Sequence, residues 1–391
     1  MKSRPRLALL CDFREEGWLS MDLVGDMIAT HLTATHSAEY EVTKVQPRFV
    51  RLPVYPRRMR DRWLIRTTER FFNRFMVYPM WLRRNRSRFD LFHIVDHSYS
   101  HLALELPATP VAITCHDLNA FRCLLEPERD SRSIAFRAMT ARLLRGLKSA
   151  AAVACDSQTI RDEILAHRVL SADRVSVVHI GVHPACQPGP DAAADAQVDQ
   201  LLGPRDPNAI ELLHVGSNRP RKRIDVLLRV FAALLPIAPA ARLVKAGQLT
   251  QAQSALAREL GIEDRMTVLP LLSREALAAL YRRSTILMLP SDNEGFGLPV
   301  IEALACRTPV LASDIPVLRE VGGEVVVYSP VGDVSAWTVA ATSMLRERSE
   351  HPGRWDSRRD TGVRWASRFS WGEYANRSVE LYRRMLGCAA S

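Results

Sequence analysis

Short apolar runs alternate with stretches of helical periodicity along most of this chain. In the first half the runs fall at 7–11, 39–45, 91–95, 111–115 and 151–155, with helical spacing at 21–32. In the second half they fall at 210–215, 241–245, 266–269, 285–289 and 309–312, with helical spacing at 225–235 and 274–283 and a last helix at 373–386. Strands alternating with helices predict an α/β protein built on parallel sheets. The rhythm breaks once, at 184–208, a stretch rich in Pro, Ala and Asp in which Pro184, Pro188, Pro190 and Pro204 stop any long helix. The pattern therefore predicts two successive α/β domains, 1–190 and 205–368, and a terminal segment 369–391.

A length of 391 residues suits two domains, and 47% hydrophobic with 25% charged residues is ordinary for a soluble protein with a sizeable core. The longest apolar stretch, 226–241, is interrupted by Arg229, Pro236 and Pro239, well short of a spanning helix. The N-terminus carries too short an apolar run for a signal peptide and no small-residue cleavage site. The seven cysteines are scattered, odd in number and without a C-x-x-C pair, which suits reduced thiols. The expected location is the cytoplasm, at most peripheral on the inner face of the membrane. A net charge of +10 favours anionic partners and does not choose among phosphates, acidic glycans, lipid head groups and nucleic acid.

Much of that charge lies in 47–90, which holds 13 arginines against Asp61, Glu69 and Asp90. Trp63, Phe71, Phe75, Tyr78 and Trp81 recur there at roughly helical spacing. A basic, aromatic, amphipathic segment suits an anionic membrane surface or a lipid-linked acceptor. The alternatives are a surface helix with its aromatics in the core and its arginines solvated, or nucleic acid. No recognition fold or zinc-finger spacing supports nucleic acid, and none is expected as a partner.

The stretch 287–310 concentrates the candidate chemistry. An apolar run ends at Pro290, and Ser291, Asp292 and Asn293 form a polar turn before Glu294. Gly295 and Gly297 keep the next residues small, Pro299 suits a first helical position, and Glu302 lies on the helix that follows. Backbone N–H groups at such a turn favour an anion. Two carboxylates beside an anion site make sense for a ligand that carries both phosphates and hydroxyls, as a sugar nucleotide does.

Glu294, Gly295, Gly297, Pro299 and Glu302 fit an E-x7-E signature, and here the chain resembles the retaining glycosyltransferases of family 4 (glycosyl transferases group 1). The resemblance extends through Val215-Gly216 leading to Pro220-Arg221-Lys222, through Leu280-Tyr281, Leu289-Pro290-Ser291 and Pro309-Val310-Leu311-Ala312, and to Phe369-Ser370-Trp371. It is weaker in the first half, where it rests on 114–118, Asp156-Ser157 and 179–182. It implies the GT-B fold: two facing Rossmann-like domains, an acceptor-binding one followed by a nucleotide-sugar-binding one, with a C-terminal helix crossing back to the first.

The same resemblance implies a division of labour. Lys222 and Arg221, with the Gly297 and Leu298 backbone, face the donor diphosphate in a loop opened by Gly216. Glu302 reads the ribose hydroxyls, Glu294 the transferred sugar, and His116 touches that sugar from the first domain. Gly17 lies near the diphosphate. The implied reaction moves a hexose from GDP-mannose or a UDP-hexose to a glycan or lipid-linked acceptor, with retention and without a metal, in surface polysaccharide or glycolipid synthesis. The alternatives are a sugar-nucleotide epimerase of the same architecture, or a non-catalytic binder of polyanions or membranes with a relic site.

Each residue also has a plainer reading. Glu302 alone would be a carboxylate at a helix start, Arg221 a solvated arginine, His116 a satisfied core histidine and Gly17 a turn residue. Several positions depart from the family pattern. Ser217 stands where many relatives have arginine, so one charge for the diphosphate is missing unless Arg219 or Arg221 supplies it. Arg223 and Arg307 stand where glycine is common, and the first loop has one glycine, Gly17, where two are usual. The chain lacks Asp-x-Asp, His/Cys metal spacing, G-x-S-x-G and a triphosphatase phosphate loop.

Overall fold

The structure is a computed structural model that describes residues 4–51, 61–206 and 208–388, without the side chains of Leu19, 61–64 and Cys388. The segment distinguished by its charge is thus only partly in view: Tyr55, Arg57, Arg58 and Arg60, and the side chains of Arg62 and Trp63, lie outside the described residues. The chain forms two compact units, Met1–Ile180 with Trp371–Ser391, and Gly181–Ser370.

The first unit is built on six parallel strands: β1 Arg6–Leu10, β2 Glu41–Val45, β3 Leu91–Ile94, β4 Val111–Cys115, β5 Ala152–Cys155 and β6 Val175–Val177. Their spatial order is β2-β1-β3-β4-β5-β6. Every residue of β3, β4 and β5 is buried, which explains why these strands read as apolar runs, His93 and Thr114 apart. Helices such as Leu19–His36 and Ile134–Ser149 make the crossovers. The closing helix Trp371–Cys388 also belongs here. Its Tyr382 hydroxyl meets His93 Nδ1 at 2.6 Å and its Tyr374 hydroxyl meets Thr114 Oγ1 at 3.0 Å, both groups fully buried.

The segment 61–88 is helical, with Asp61–Phe72 and Tyr78–Asn85 joined through one π turn, Asn73–Val77. Asn73 fixes that turn from inside: its side-chain carbonyl accepts from Val50 N at 2.7 Å, and its amide donates to Val50 O and Glu69 O, each at 2.8 Å. Tyr78 is fully buried and Phe75 packs on the core, whereas Phe71 and Met76 are each 55% exposed. A groove of ≈ 560 Å³ runs between this segment and helix Ile134–Ser149, lined by Phe71, Phe75, Met76, Phe136, Met139 and Arg142.

The second unit repeats the plan with β7 Ile210–Val215, β8 Ala241–Ala246, β9 Met266–Leu269, β10 Ile286–Leu289, β11 Val310–Ser313 and β12 Val327–Ser329. All pair in parallel, in the order β12-β11-β10-β7-β8-β9. Helix Ile224–Leu234 buries Val226, Leu227, Val230, Phe231 and Leu234 against a core that includes Trp337 and Trp355. One stretch departs from expectation. Helix Ala192–Leu202 forms within the proline-rich region, because Pro184, Pro188, Pro190 and Pro204 all flank it and none interrupts it. Asp191 caps it, accepting from Ala194 N at 3.1 Å, and Asp195–Arg282 (2.7 Å) and Asp199–Arg283 (2.9 Å) tie it to helix Arg274–Arg283.

Candidate active site

In a doubly wound parallel sheet, ligands bind where the strand order reverses, beyond the carboxyl ends of the strands. In the second unit that point lies between β7 and β10. The loops that leave these two strands, 216–222 and 291–297, are the ones with the candidate residues.

The first loop opens on Gly216, at φ +154°, and ends in a 3-10 turn, Pro220–Lys222. Lys222 is 7% exposed. Its ammonium donates to Glu294 Oε1 at 2.5 Å, while Ser291 Oγ donates to the same oxygen at 2.7 Å. Arg221 Nη1 donates to Glu294 Oε2 at 3.0 Å and to Asn293 O at 2.7 Å. Burial opposes ionisation of Glu294, but Lys222, Arg221 and Ser291 outweigh it and hold the carboxyl below its ordinary range. Arg221, one of the two expected replacement charges for Ser217, is thus engaged with the neighbouring loop.

The second loop delivers Gly297, at φ +100°, as the residue before helix Leu298–Ala305. A Cβ there would sit 2.7 Å from Leu318 Cδ2, so the tight entry of that helix requires glycine. Leu298 begins the helix and presents its N–H at the start. Glu302 lies on the buried face, 3% exposed. Its Oε2 accepts from the Tyr281 hydroxyl at 2.9 Å, and its Oε1 is 3.7 Å from Arg274 Nη1. Burial pushes this carboxyl up, against Arg274 and Tyr281. The two carboxylates of the signature therefore differ in environment, one clamped by cations and one held by a phenol.

Beneath the first loop lie two groups that the sequence motifs do not include. His214 on β7 pairs in register with Lys245 on β8. Both are fully buried. His214 Nδ1 donates to Met288 O at 2.9 Å, which leaves Nε2 as an acceptor with no partner among the described residues. Lys245 Nζ donates to Gly216 O at 2.6 Å, Ala246 O at 3.0 Å and Gly247 O at 3.3 Å. A lysine closing the run 241–245 is the available signal, since a charge inside an apolar strand needs a reason.

Gly17 and His116 belong to the first unit, where the strand order reverses between β1 and β3. Gly17 has φ +75°, and a Cβ on it would meet nothing within 4 Å, so the backbone angle alone calls for glycine. The preceding Glu16 is buried and accepts from Arg74 Nη2 at 2.5 Å and the Tyr99 hydroxyl at 2.8 Å, joining this loop to the π turn.

His116 is 8% exposed, and both of its ring nitrogens are occupied. Nε2 donates to Val95 O at 2.8 Å and Nδ1 meets Asp156 Oδ2 at 2.5 Å. Burial disfavours the charged ring, but Asp156 and Asp96 raise it to about 9. Nearby, burial and Asp96 push the buried Asp12 carboxyl well above its ordinary range. Asp156, Asp96 and Asp12 are not site candidates from sequence; each follows the end of a strand. Among the described residues no cluster of three or more His, Cys, Asp or Glu suits a metal ion, and no helix is long and apolar enough to cross a membrane.

Comparison with known proteins gives this geometry its context. Residues 27–185 match Glycosyltransferase Family 4 and residues 203–359 match Glycosyl transferases group 1. The chain is 33% identical over 257 residues to a D-inositol 3-phosphate glycosyltransferase of Mycobacterium sp. (strain JLS), covering 62% of this chain and 55% of the relative. It is 30% identical over 299 residues to one of Rhodococcus jostii (strain RHA1), covering 72% and 63%. The chain thus spans a little over half the length of the curated relatives it matches. Among solved structures, a sucrose-phosphate synthase from Thermosynechococcus elongatus superposes with TM-score 0.71 at 20% identity, over 98% of this chain and 100% of that one. Anabaena Alr3699/HepE in complex with UDP and glucose gives 0.69 at 16%, over 97% and 100%. The fold is GT-B, and the chain belongs to glycosyltransferase family 4, the glycosyl transferases group 1.

Proposed function

We propose that this protein moves a hexose from a nucleoside-diphosphate sugar to a glycan or lipid-linked acceptor, with retention of configuration and without a divalent metal. The observation that carries the reading is the convergence of Lys222, Arg221 and Glu294 at the reversal point of the second sheet. In the reaction the bond from the anomeric carbon to the phosphate oxygen breaks, and the acceptor oxygen forms the new bond on the same face. The acceptor proton passes to the departing phosphate. The transition state is oxocarbenium-like, and the diphosphate gains charge as it leaves. A preorganised ammonium and the N–H groups at the start of helix Leu298–Ala305 lower that barrier. Lys222 then does the electrostatic work that a metal does elsewhere. Glu302 accepts from the ribose hydroxyls and Glu294 from the sugar. Solved structures of the same fold hold UDP, glucose and UDP-glucose, which supports a UDP-hexose over GDP-mannose as donor.

For the acceptor, the curated relatives are named for D-inositol 3-phosphate, a small phosphorylated polyol. A lipid-linked acceptor is supported instead by the apolar groove at Phe71, Met76 and Phe136 beside the arginine-rich segment. That reading sets the protein on an anionic inner membrane face, in surface polysaccharide or glycolipid synthesis. A panel of sugar nucleotides with either acceptor class, run with EDTA, tests the function. The expected result is EDTA-resistant transfer from one UDP-hexose, giving a product of the donor's anomeric configuration. Glu302→Gln is expected to weaken donor binding at least tenfold while the free protein melts no lower than wild type, because a buried carboxylate is removed. Inverted product, epimer formation without an acceptor, or full donor affinity in Glu302→Gln would each overturn it.

A further inference from the structure

We propose that Lys245 is a positioning residue of the donor-phosphate site, whose buried ammonium aims the phosphate loop and supplies the positive charge that Ser217 does not. The inference rests on the donor diphosphate lying at the loop 216–222.

All three N–H bonds of Lys245 end on backbone carbonyls, those of Gly216, Ala246 and Gly247. Among the described residues no carboxylate is a partner of Lys245, so the charge stands uncompensated in a fully buried position. Such a placement is costly and calls for a return. The first return is geometric. The Gly216–Ser217 peptide is planar and trans, so its C=O and N–H point in opposite directions. Drawing the Gly216 carbonyl inward turns the Ser217 N–H outward, toward the exposed side of the loop, where Ser217 itself lies. Gly247 permits the arrangement: a Cβ there would sit 2.4 Å from Gly216 O and 3.0 Å from Lys245 Nζ.

The second return is electrostatic. The groups facing Lys245 from adjoining elements are His214 on β7 and Lys222 in the loop, with Glu294 beyond Lys222. Burial and Lys222 lower the Lys245 ammonium to about 8. His214 is held neutral, lowered to about 3 by burial and the two lysines, and Glu294 stays ionised. A diphosphate arriving at the loop favours the charged lysine. Its affinity is therefore full below about pH 8 and declines as the free lysine loses its proton.

The test is calorimetric titration of the full chain with UDP-glucose, and with GDP-mannose beside it, from pH 7 to 9.5, with the parent nucleosides as controls. Neither sugar nucleotide titrates its phosphates in that range. Wild type is expected to lose about tenfold in affinity across the range, beyond the smaller decline that the nucleosides themselves show as their bases begin to lose a proton near its top. Lys245→Met is expected to bind at pH 7 about as weakly as wild type at pH 9.5, with no pH dependence beyond that of the nucleosides and with nucleoside affinity retained. A wild-type profile no steeper than that of the nucleosides overturns the proposal, even where the variant fails to fold. So does a Lys245→Met protein that loses nucleoside and sugar nucleotide equally, which marks damage to the fold alone. No sugar-nucleotide binding at any pH brings down the donor-site reading, and this inference with it.

Discussion

Lys222 and Glu294, 72 residues apart in sequence, meet at 2.5 Å in an almost fully buried contact. The two are not equivalent partners. Glu294 keeps Arg221 and Ser291 when Lys222 is removed, whereas Lys222 without Glu294 faces Lys245 with no carboxylate between them. Glu294→Gln is therefore expected to cost about 3 kcal/mol of stability and Lys222→Met roughly half that, the double variant costing less than the sum. Denaturant unfolding of the three variants measures this. Equal single costs would contradict the asymmetry. Glu294 has a lowered folded value, so its contribution is present above the ordinary carboxylate range and fades as pH falls through that value. The acid limb of the stability profile should be shallower in Glu294→Gln.

His116 gives the opposite sign. Its folded value of about 9 lies above the ordinary histidine value, so its contribution is complete below about pH 6.5 and lost as pH rises through 9. The His116–Asp156 pair should be worth about 3 kcal/mol at neutral pH, and Asp156→Asn should remove most of it. The readout is the difference in melting temperature between wild type and Asp156→Asn, which should narrow from pH 6.5 to 9.5. A constant difference would mean that His116 is neutral in the folded protein.

The groove between the π-turn segment and helix Ile134–Ser149 predicts a surface property. Phe71, Met76, Met80 and Ile134 are 55%, 55%, 42% and 87% exposed, and Arg66, Arg84 and Arg132 are exposed nearby in sequence. Cosedimentation with vesicles containing phosphatidylglycerol should be salt-dependent and absent with phosphatidylcholine alone. Phe71→Ser with Ile134→Ser should weaken it about tenfold while leaving UDP-glucose binding unchanged. Binding equal to wild type would remove the membrane face from the functional picture.

Much of this architecture is legible in the amino-acid pattern, and the exceptions have physical reasons. The buried strands β5 and β10 announce themselves because parallel strands covered on both faces are continuously apolar, and β3, β4 and β7 stay legible although His93, Thr114, Glu211 and His214 interrupt them. β6 and β12 span three residues each, too few to show a pattern. The prolines of 184–208 rule out a long helix but say nothing of a short one, and 11 residues between Pro190 and Pro204 form it. At the site, residue types are legible but pairings are not: nothing local says that Lys222 will close on Glu294. The departures at Arg223 and Arg307 become intelligible only from backbone angles. Both have left-handed φ, +47° and +65°, where glycine is the unstrained choice. Arg223 is held by Asp225 at 3.0 Å and Arg307 by Asp360 at 2.6 Å. Lys245 leaves only the faint signal of a charge closing an apolar strand, which belongs to no motif and does not say what it will hold.

The return of helix Trp371–Cys388 to the first unit sets an order of events during synthesis. The buried bonds of Tyr382 to His93 and Tyr374 to Thr114 close over 289 and 260 residues. The second unit, continuous from Gly181 to Ser370, has all its parts before that helix leaves the ribosome. The half of the protein made first is thus the half finished last, and its sheet waits for a cover while the other half folds.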